Sequence, residues 1–192
     1  MHKRGYYIVN GITFYRLIAA PLLIFLIIYK EAGIFKWLLL LSFFTDAVDG
    51  YLARRYALVS KFGAKLDSIA DDVTIAAAIV GVIILKPEFL RHEIIFIIIL
   101  LALFILQTTL AFLRYGKISG FHTYAAKTAA VLQGVFLILL FFLPDPLYLL
   151  FKITAIVTII DLVEETILVM LLPAWETNVK GLYWVIKKKQ KH

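Results

Sequence analysis

Residues 46–72 read DAVDGYLARRYALVSKFGAKLDSIADD. This stretch carries five aspartates with basic residues between them, yet WLLLLSFFT precedes it at 37–45 and VTIAAAIVGVIIL follows it at 73–85. Charge at the ends of two apolar runs is costly unless it is paired or coordinated. How the stretch is read therefore decides the architecture. The whole chain has 192 residues, is 62% hydrophobic and has a mean hydropathy of +0.92. Soluble domains average about 45–50% apolar residues, so the composition predicts a membrane protein.

A bilayer-spanning helix takes about 20 mostly apolar residues. Outward from the aspartates, six segments read this way: 11–29, 34–55, 65–86, 93–114, 123–143 and 147–173. The breaks YKEAG, YALVSKFG, KPEFLRHE, YGKISGFH and PDP hold the Gly, Pro and charged residues expected of loops. The expected fold is an all-α integral membrane domain of six transmembrane helices. It covers 1–192 as a single domain, with 1–10 as an amphipathic lead-in and 174–192 as a basic interfacial tail. No repeat, low-complexity tract or long linker suggests a second domain. MHKRGYYIV has a charged start, but the apolar run after it is long and lacks a small-residue cleavage site, so no cleavable signal peptide is expected. The absence of cysteine excludes disulfides and thiolate metal sites.

On a six-span topology, 14 of the 20 lysines and arginines fall on one side. Lys30, Lys36, Lys86, Arg91 and Lys152 fall on the other, and Arg16 lies within the first span. This asymmetry predicts that both termini are cytoplasmic. The protein is then multi-pass, with the aspartate stretch at the cytoplasmic face of the membrane. The net charge of +7 suits anionic headgroups or anionic substrates. The basic residues flank apolar runs instead of forming one stripe, which argues against nucleic acid. The closing VKGLYWVIKKKQKH reads either as an aromatic and basic anchor at the interface or as a solvated tail.

Helical spacing turns the aspartates into a constellation. Asp46, Asp49, Gly50 and Ala53 stand at i, i+3, i+4 and i+7, on one side of the second helix. Gly63, Asp67 and Asp71 stand at i, i+4 and i+8, on one side of the third. A short loop makes the two helices neighbours, so four carboxylates converge, and Asp72 turns off that face. Converging carboxylates repel one another and do not stay ionised unaided. Divalent cations resolve this, and an all-oxygen donor set selects a hard ion, Mg²⁺ or Mn²⁺. Two such ions bridged by carboxylates make a clamp for a diphosphate. Gly50 and Ala53 leave room for a ligand to approach, and Arg54 offers a planar donor for phosphate or a pyrimidine carbonyl. The bland alternative, interfacial charges at two helix ends, suits a single aspartate better than four in register.

The pattern D46-A-V-D49-G50-Y-L-A53-R54, eight residues, then G63-A-K-L-D67-S-I-A-D71 resembles the signature of the CDP-alcohol phosphotransferases. All eight fixed positions are matched. The resemblance implies an enzyme that moves a phosphatidyl group from CDP-diacylglycerol to an acceptor hydroxyl and releases CMP, a step of phospholipid biosynthesis. It implies that Asp46, Asp49, Asp67 and Asp71 hold one or two Mg²⁺ or Mn²⁺ ions and that Asp71 is the general base. Asp46, Asp49, Gly50, Ala53, Arg54, Gly63 and Asp67 would contact the CDP moiety, with Gly63 letting a loop close over it. Homodimers formed through membrane helices are a further implication.

For the acceptor, Asn10, Thr13, Arg16 and Pro21 are similar to the opening of phosphatidylglycerophosphate synthases and of cardiolipin synthases on the same fold, although Val9 stands where those often have proline. Arg114, Lys117 and Lys127 cluster around one predicted loop and are candidates for binding the phosphate of glycerol 3-phosphate. Their alternative role is to set topology. The residues leave open phosphatidylglycerol or an inositol phosphate as acceptor. Asp161, Glu164 and Glu165 lie inside the last predicted span, where acids are paired or functional. They are expected either to hold that helix in ion pairs, with Arg16 or Lys127 in reach, or to shape the acceptor pocket. Two other classes fit less well. An Asp-rich prenyltransferase needs two such motifs and a longer chain. A transporter tends to show inverted repeats and broken helices.

Overall fold

The computed structural model describes residues 2–56, 61–117, 121–176 and 179–189. The side chains of 2–10, 12–13, 47, 49–56, 61–68, 71–72 and 189 fall outside the description. The described chain is all helix: α1 His2–Ile28, α2 Ala32–Tyr56, α3 Lys61–Leu85, α4 Pro87–His92, α5 Ile94–Tyr115, α6 Tyr124–Phe142, α7 Tyr148–Leu171 and α8 Leu182–Lys189. It divides into two compact units. One holds 1–91 with 141–144, the other 92–140 with 145–192.

The expectation of six membrane spans is not met. Among the described residues only α5 and α6 are long and apolar enough to cross a bilayer. The reason lies in where the charges fall. The apolar part of α3 is confined to Val73–Leu85 and that of α1 to Phe14–Ile28. At 1.5 Å per residue such lengths reach about 20 Å, short of a hydrocarbon core of about 30 Å. Helix α2 carries Asp46, Asp49, Arg54 and Arg55 in its second half, and α7 carries Lys152, Asp161, Glu164 and Glu165. The residue spacing located the helices; it did not show that each one crosses. With two candidate spans among the described residues in place of six, the alternation of sides behind the placement of both termini no longer applies. The two apolar helices support membrane association.

Boundaries also move. The lead-in is continuous with α1, which runs through Pro21. Helix α3 begins at Lys61, so Gly63 sits in its first turn and not in a loop. Two short helices, α4 and α8, were not expected.

In the first unit, α1 packs on both α2 and α3. The turn after α1 reverses the chain with two bonds, Lys30 N–H to Ile27 O at 3.0 Å and Glu31 N–H to Leu26 O at 2.9 Å. Lys30 takes the left-handed conformation there (φ 57°), as the residue after a helix end does in this motif. Leu23, Ile27, Phe35, Leu39, Ala70, Ala77 and Ala78 are buried. The small residues of α3 let neighbours approach closely. A methyl group at Gly81 would stand 2.6 Å from the Phe35 ring, which itself meets Phe141 edge-on at 4.9 Å.

In the second unit, α5 packs on α7, and α8 docks against α7. Ala111, Phe121, Leu168, Val169, Leu172 and Val179 form a buried cluster there. Thr123 starts α6 by accepting the Ala126 N–H at 3.0 Å, the usual N-cap bond.

Candidate functional site

The site is built on the second half of α2 and the first half of α3. Both halves are polar, and three described hydroxyls in or beside them are satisfied locally. Ser42 donates to Leu38 O at 2.9 Å, Thr45 to Leu41 O at 2.8 Å, and Thr74 to Ala70 O at 2.7 Å. Such back-bonding keeps a hydroxyl satisfied in an apolar helix.

Asp46 is the motif aspartate whose side chain the structure describes. It accepts a hydrogen bond from Arg16 Nη1 on α1 at 2.8 Å. Arg16 is 1% exposed and Asp46 41%. A guanidinium buried to that degree needs an anionic partner, and a carboxylate so placed is held in orientation while staying accessible to a ligand. Sequence spacing missed this contact because residues 16 and 46 lie 30 apart. The signal available was an arginine in the middle of an apolar run, which asks for an acid somewhere in the fold.

The remaining motif positions keep their helical register. Asp49, Gly50, Ala53 and Arg54 follow Asp46 on α2, while Gly63, Asp67 and Asp71 lie on α3. The i, i+3, i+4 and i, i+4, i+8 stripes therefore stand as backbone facts; the side chains of these seven residues lie outside the described residues. Among the described residues no cluster of three or more metal-ligating side chains occurs. Asp46 itself, an accessible carboxylate held by Arg16, is an oxygen donor of the class that hard divalent ions take.

The basic candidates all lie in the second unit, and each has its own neighbour. Arg114, in the last turn of α5, donates to Leu172 O at 3.2 Å. Tyr115 donates its hydroxyl to Val169 O and Leu172 O, both at 2.9 Å. Together they cover carbonyls at the end of α7 that the helix itself cannot satisfy. A groove of about 230 Å³ runs beside Arg114, lined otherwise by Leu110, Leu113, Val169 and Met170. Lys117 lies over the Trp175 ring at 4.5 Å, and Lys127 lies over Tyr124 at 5.7 Å.

The three acids of α7 meet neutral donors. Asp161 accepts from Thr123 Oγ1 at 3.4 Å, Glu165 from Gln107 Nε2 at 2.9 Å, and Glu164 from the Leu182 N–H at 2.7 Å. Gln133 on α6 donates to Thr158 at 2.9 Å. Thr158, Asp161 and Glu165 share one face of α7 at i, i+3 and i+7. Burial, then the nearby Glu164 carboxylate, push Asp161 up to about 6, against the pull of the Thr123 hydrogen bond.

Comparison with known proteins places these elements. The model of the CDP-alcohol phosphatidyltransferase family matches residues 6–171. A CDP-diacylglycerol–glycerol-3-phosphate 3-phosphatidyltransferase of Rickettsia bellii is 34% identical over 128 residues, which cover 65% of this chain and 68% of that protein. A cardiolipin synthase–hydrolase fusion protein of Schizosaccharomyces pombe is 45% identical over 62 residues, 32% of this chain but 10% of its own length. The CDP-diacylglycerol–inositol 3-phosphatidyltransferase 1 of Arabidopsis thaliana is 36% identical over 75 residues, 39% of this chain and 33% of its own length. No solved structure matches significantly. The family match takes in Arg16, the aspartate stripes of α2 and α3, and all of α7, so the chain belongs to the CDP-alcohol phosphatidyltransferases, a family of transferase enzymes.

Proposed function

We propose that the protein transfers a phosphatidyl group from CDP-diacylglycerol to an acceptor hydroxyl, releasing CMP, and that the acceptor is glycerol 3-phosphate. The observation that carries this reading is the eight-position aspartate signature, distributed over two consecutive helices inside the family match. Arg54, Arg55, Lys61 and Lys65 surround the signature. A basic flank of this kind supports a site facing the cytoplasm, where a nucleotide-activated lipid and a soluble acceptor can meet.

In this reading Asp46, Asp49, Asp67 and Asp71 hold one or two Mg²⁺ or Mn²⁺ ions. Bound there, the metal offsets the charge of the diphosphate and makes CMP a better leaving group. The acceptor oxygen forms a bond to the phosphatidyl phosphorus, and the bond from that phosphorus to the CMP oxygen breaks. Asp71 takes the proton of the acceptor hydroxyl. Gly50, Ala53 and Gly63 leave space for the cytidine nucleotide, and Arg54 donates to it. Arg16 holds Asp46 in orientation. Arg114, Lys117 and Lys127 are the candidates for the acceptor phosphate, which a guanidinium binds with charge-assisted hydrogen bonds. The similarity to a protein named for glycerol 3-phosphate transfer, with the longest coverage of the three relatives, supports that acceptor.

The test is an acceptor screen. Purified protein with CDP-diacylglycerol and Mg²⁺ is offered glycerol 3-phosphate, inositol phosphate, serine or phosphatidylglycerol, and CMP release is measured. Release with glycerol 3-phosphate alone is the expected result, and excess EDTA should stop it. Release with a different acceptor replaces glycerol 3-phosphate and keeps the chemistry. No release with any acceptor overturns the reading.

A further inference from the structure

Helix α8 and the start of α6 together present a surface that the transfer chemistry does not use. Leu182 and Val185, three apart on α8, pack against the buried cluster that contains Leu168 and Val169. The opposite face of α8 presents Tyr183, Trp184, Lys187 and Lys188. Tyr183 is 64% and Trp184 45% exposed. The Lys187 ammonium lies 5.6 Å from the Tyr183 ring, and the Trp184 ring lies 5.4 Å from that of Tyr124. Tyr124 is itself exposed and opens α6, one of the two helices apolar enough to cross a bilayer. The patch therefore sits at the end of a candidate membrane span.

Three contacts fix it there. Glu164 of α7 accepts the Leu182 N–H at 2.7 Å, at the first residue of α8. The Tyr124 N–H donates to Lys180 O at 3.2 Å, tying the segment before α8 to α6. Gly181 turns the chain with φ 149°, a conformation that side chains rarely adopt. A methyl group at Gly181 would stand 3.0 Å from the Glu164 carboxylate oxygen and 3.2 Å from the Trp184 ring. The aromatic face of α8 is thus set by close packing around a glycine, not left to a loose tail.

We propose that this patch of Tyr124, Tyr183, Trp184, Lys187 and Lys188 binds an anionic phospholipid surface at the membrane–water interface. Rings with one polar edge concentrate at that interface at the ends of spanning helices. Lysines beside them reach the headgroups with their ammonium ends while their stems lie on apolar surface. Each lysine near an anionic leaflet contributes about 1 kcal/mol of attraction. Helix α8 holds no acidic residue to oppose it. An acidic protein would answer the lysines alone; the headgroup layer answers both the rings and the charges.

The test uses the full-length protein with Trp37→Phe and Trp175→Phe, so that Trp184 is the sole tryptophan. It is placed in nanodiscs of phosphatidylcholine with increasing amounts of either brominated phosphatidylserine or brominated phosphatidylcholine. Trp184 emission should be quenched by the serine lipid at a clearly lower mole fraction than by the choline lipid. Lys187→Ala and Lys188→Ala should each raise the half-quenching mole fraction of the serine lipid about fivefold, the equivalent of ~1 kcal/mol per lysine. Equal quenching by the two lipids would overturn the anionic preference. Absence of quenching by either, with Trp184 open to acrylamide, would place the patch in water or against a protein and overturn the proposal entirely.

Discussion

The two compact units use polar residues in opposite ways. The first places like charges at helical spacing, Asp46 and Asp49 on α2 and Asp67 and Asp71 on α3, and Asp46 is held by a buried arginine from α1. The second disperses its acids. Asp161, Glu164 and Glu165 follow one another closely on α7, yet each meets a neutral donor from a different segment, Thr123, Leu182 and Gln107. Gathered carboxylates are unstable without a cation, which is the condition for binding one. Dispersed acids with neutral donors are satisfied as they stand and serve to tie segments together. Acids in apolar surroundings therefore do not share one meaning: spacing within a helix marks the first kind, and only partners from elsewhere reveal the second.

The largest expected effect breaks the comparison at its strongest point. Asp71→Asn should lower the transfer rate by about 10²–10⁴, the range for a general base, with no loss of helicity by circular dichroism. An active Asp71→Asn protein would remove the gathered aspartates from the chemistry.

Arg16 comes next. Arg16→Ala should weaken Mn²⁺ binding and transfer by about 10–100-fold, as for other residues that orient a metal ligand, and Arg16→Lys should restore part of both. Titration of Mn²⁺ by electron paramagnetic resonance reads the binding directly. If Arg16→Ala lowers the melting temperature while leaving Mn²⁺ affinity at the wild-type value, the pair is structural only.

Arg114 sharpens the contrast. Its guanidinium covers a carbonyl at the end of α7, and the groove beside it is otherwise apolar. Arg114→Ala should raise the KM for glycerol 3-phosphate about tenfold, on the scale of a lost charge-assisted hydrogen bond. An unchanged KM with a lower melting temperature would assign Arg114 to the dispersed, tying class.

The smallest effect concerns Asp161. Its pKa is raised from 3.8 to about 6 in the fold, so the folded state holds its proton more tightly than the unfolded state. The associated stability is present below about pH 4 and is lost as pH rises through about 6. The melting temperature should therefore fall slightly between pH 5 and pH 7, and Asp161→Asn should flatten that slope. An identical slope in the variant would place the titration elsewhere.

Much of the helix inventory was legible from residue spacing. Six of the eight helices lie where apolar runs and short breaks predicted them, because the periodicity of apolar residues is a local property. Membrane crossing was not legible in the same way. It depends on unbroken apolar length, and the charges of α2, α3 and α7 interrupt theirs. Helix α8 docks on α7 through Leu182, Val185 and the Glu164 carboxylate, contacts that the local pattern of an anchor or a tail does not encode.

The site divides along the same line. The sequence by itself determined the aspartate stripes and, through them, the family chemistry, because metal ligands on a helix must recur every three or four residues and that spacing is written in the chain. The tertiary structure alone decided that Arg16 faces Asp46, that Glu164 starts α8, and that Gln107 and Gln133 answer the polar face of α7. These pairs join residues 18 to 58 positions apart. A buried polar group must find a partner, but its own surroundings in the sequence do not say which one; packing of the helices does.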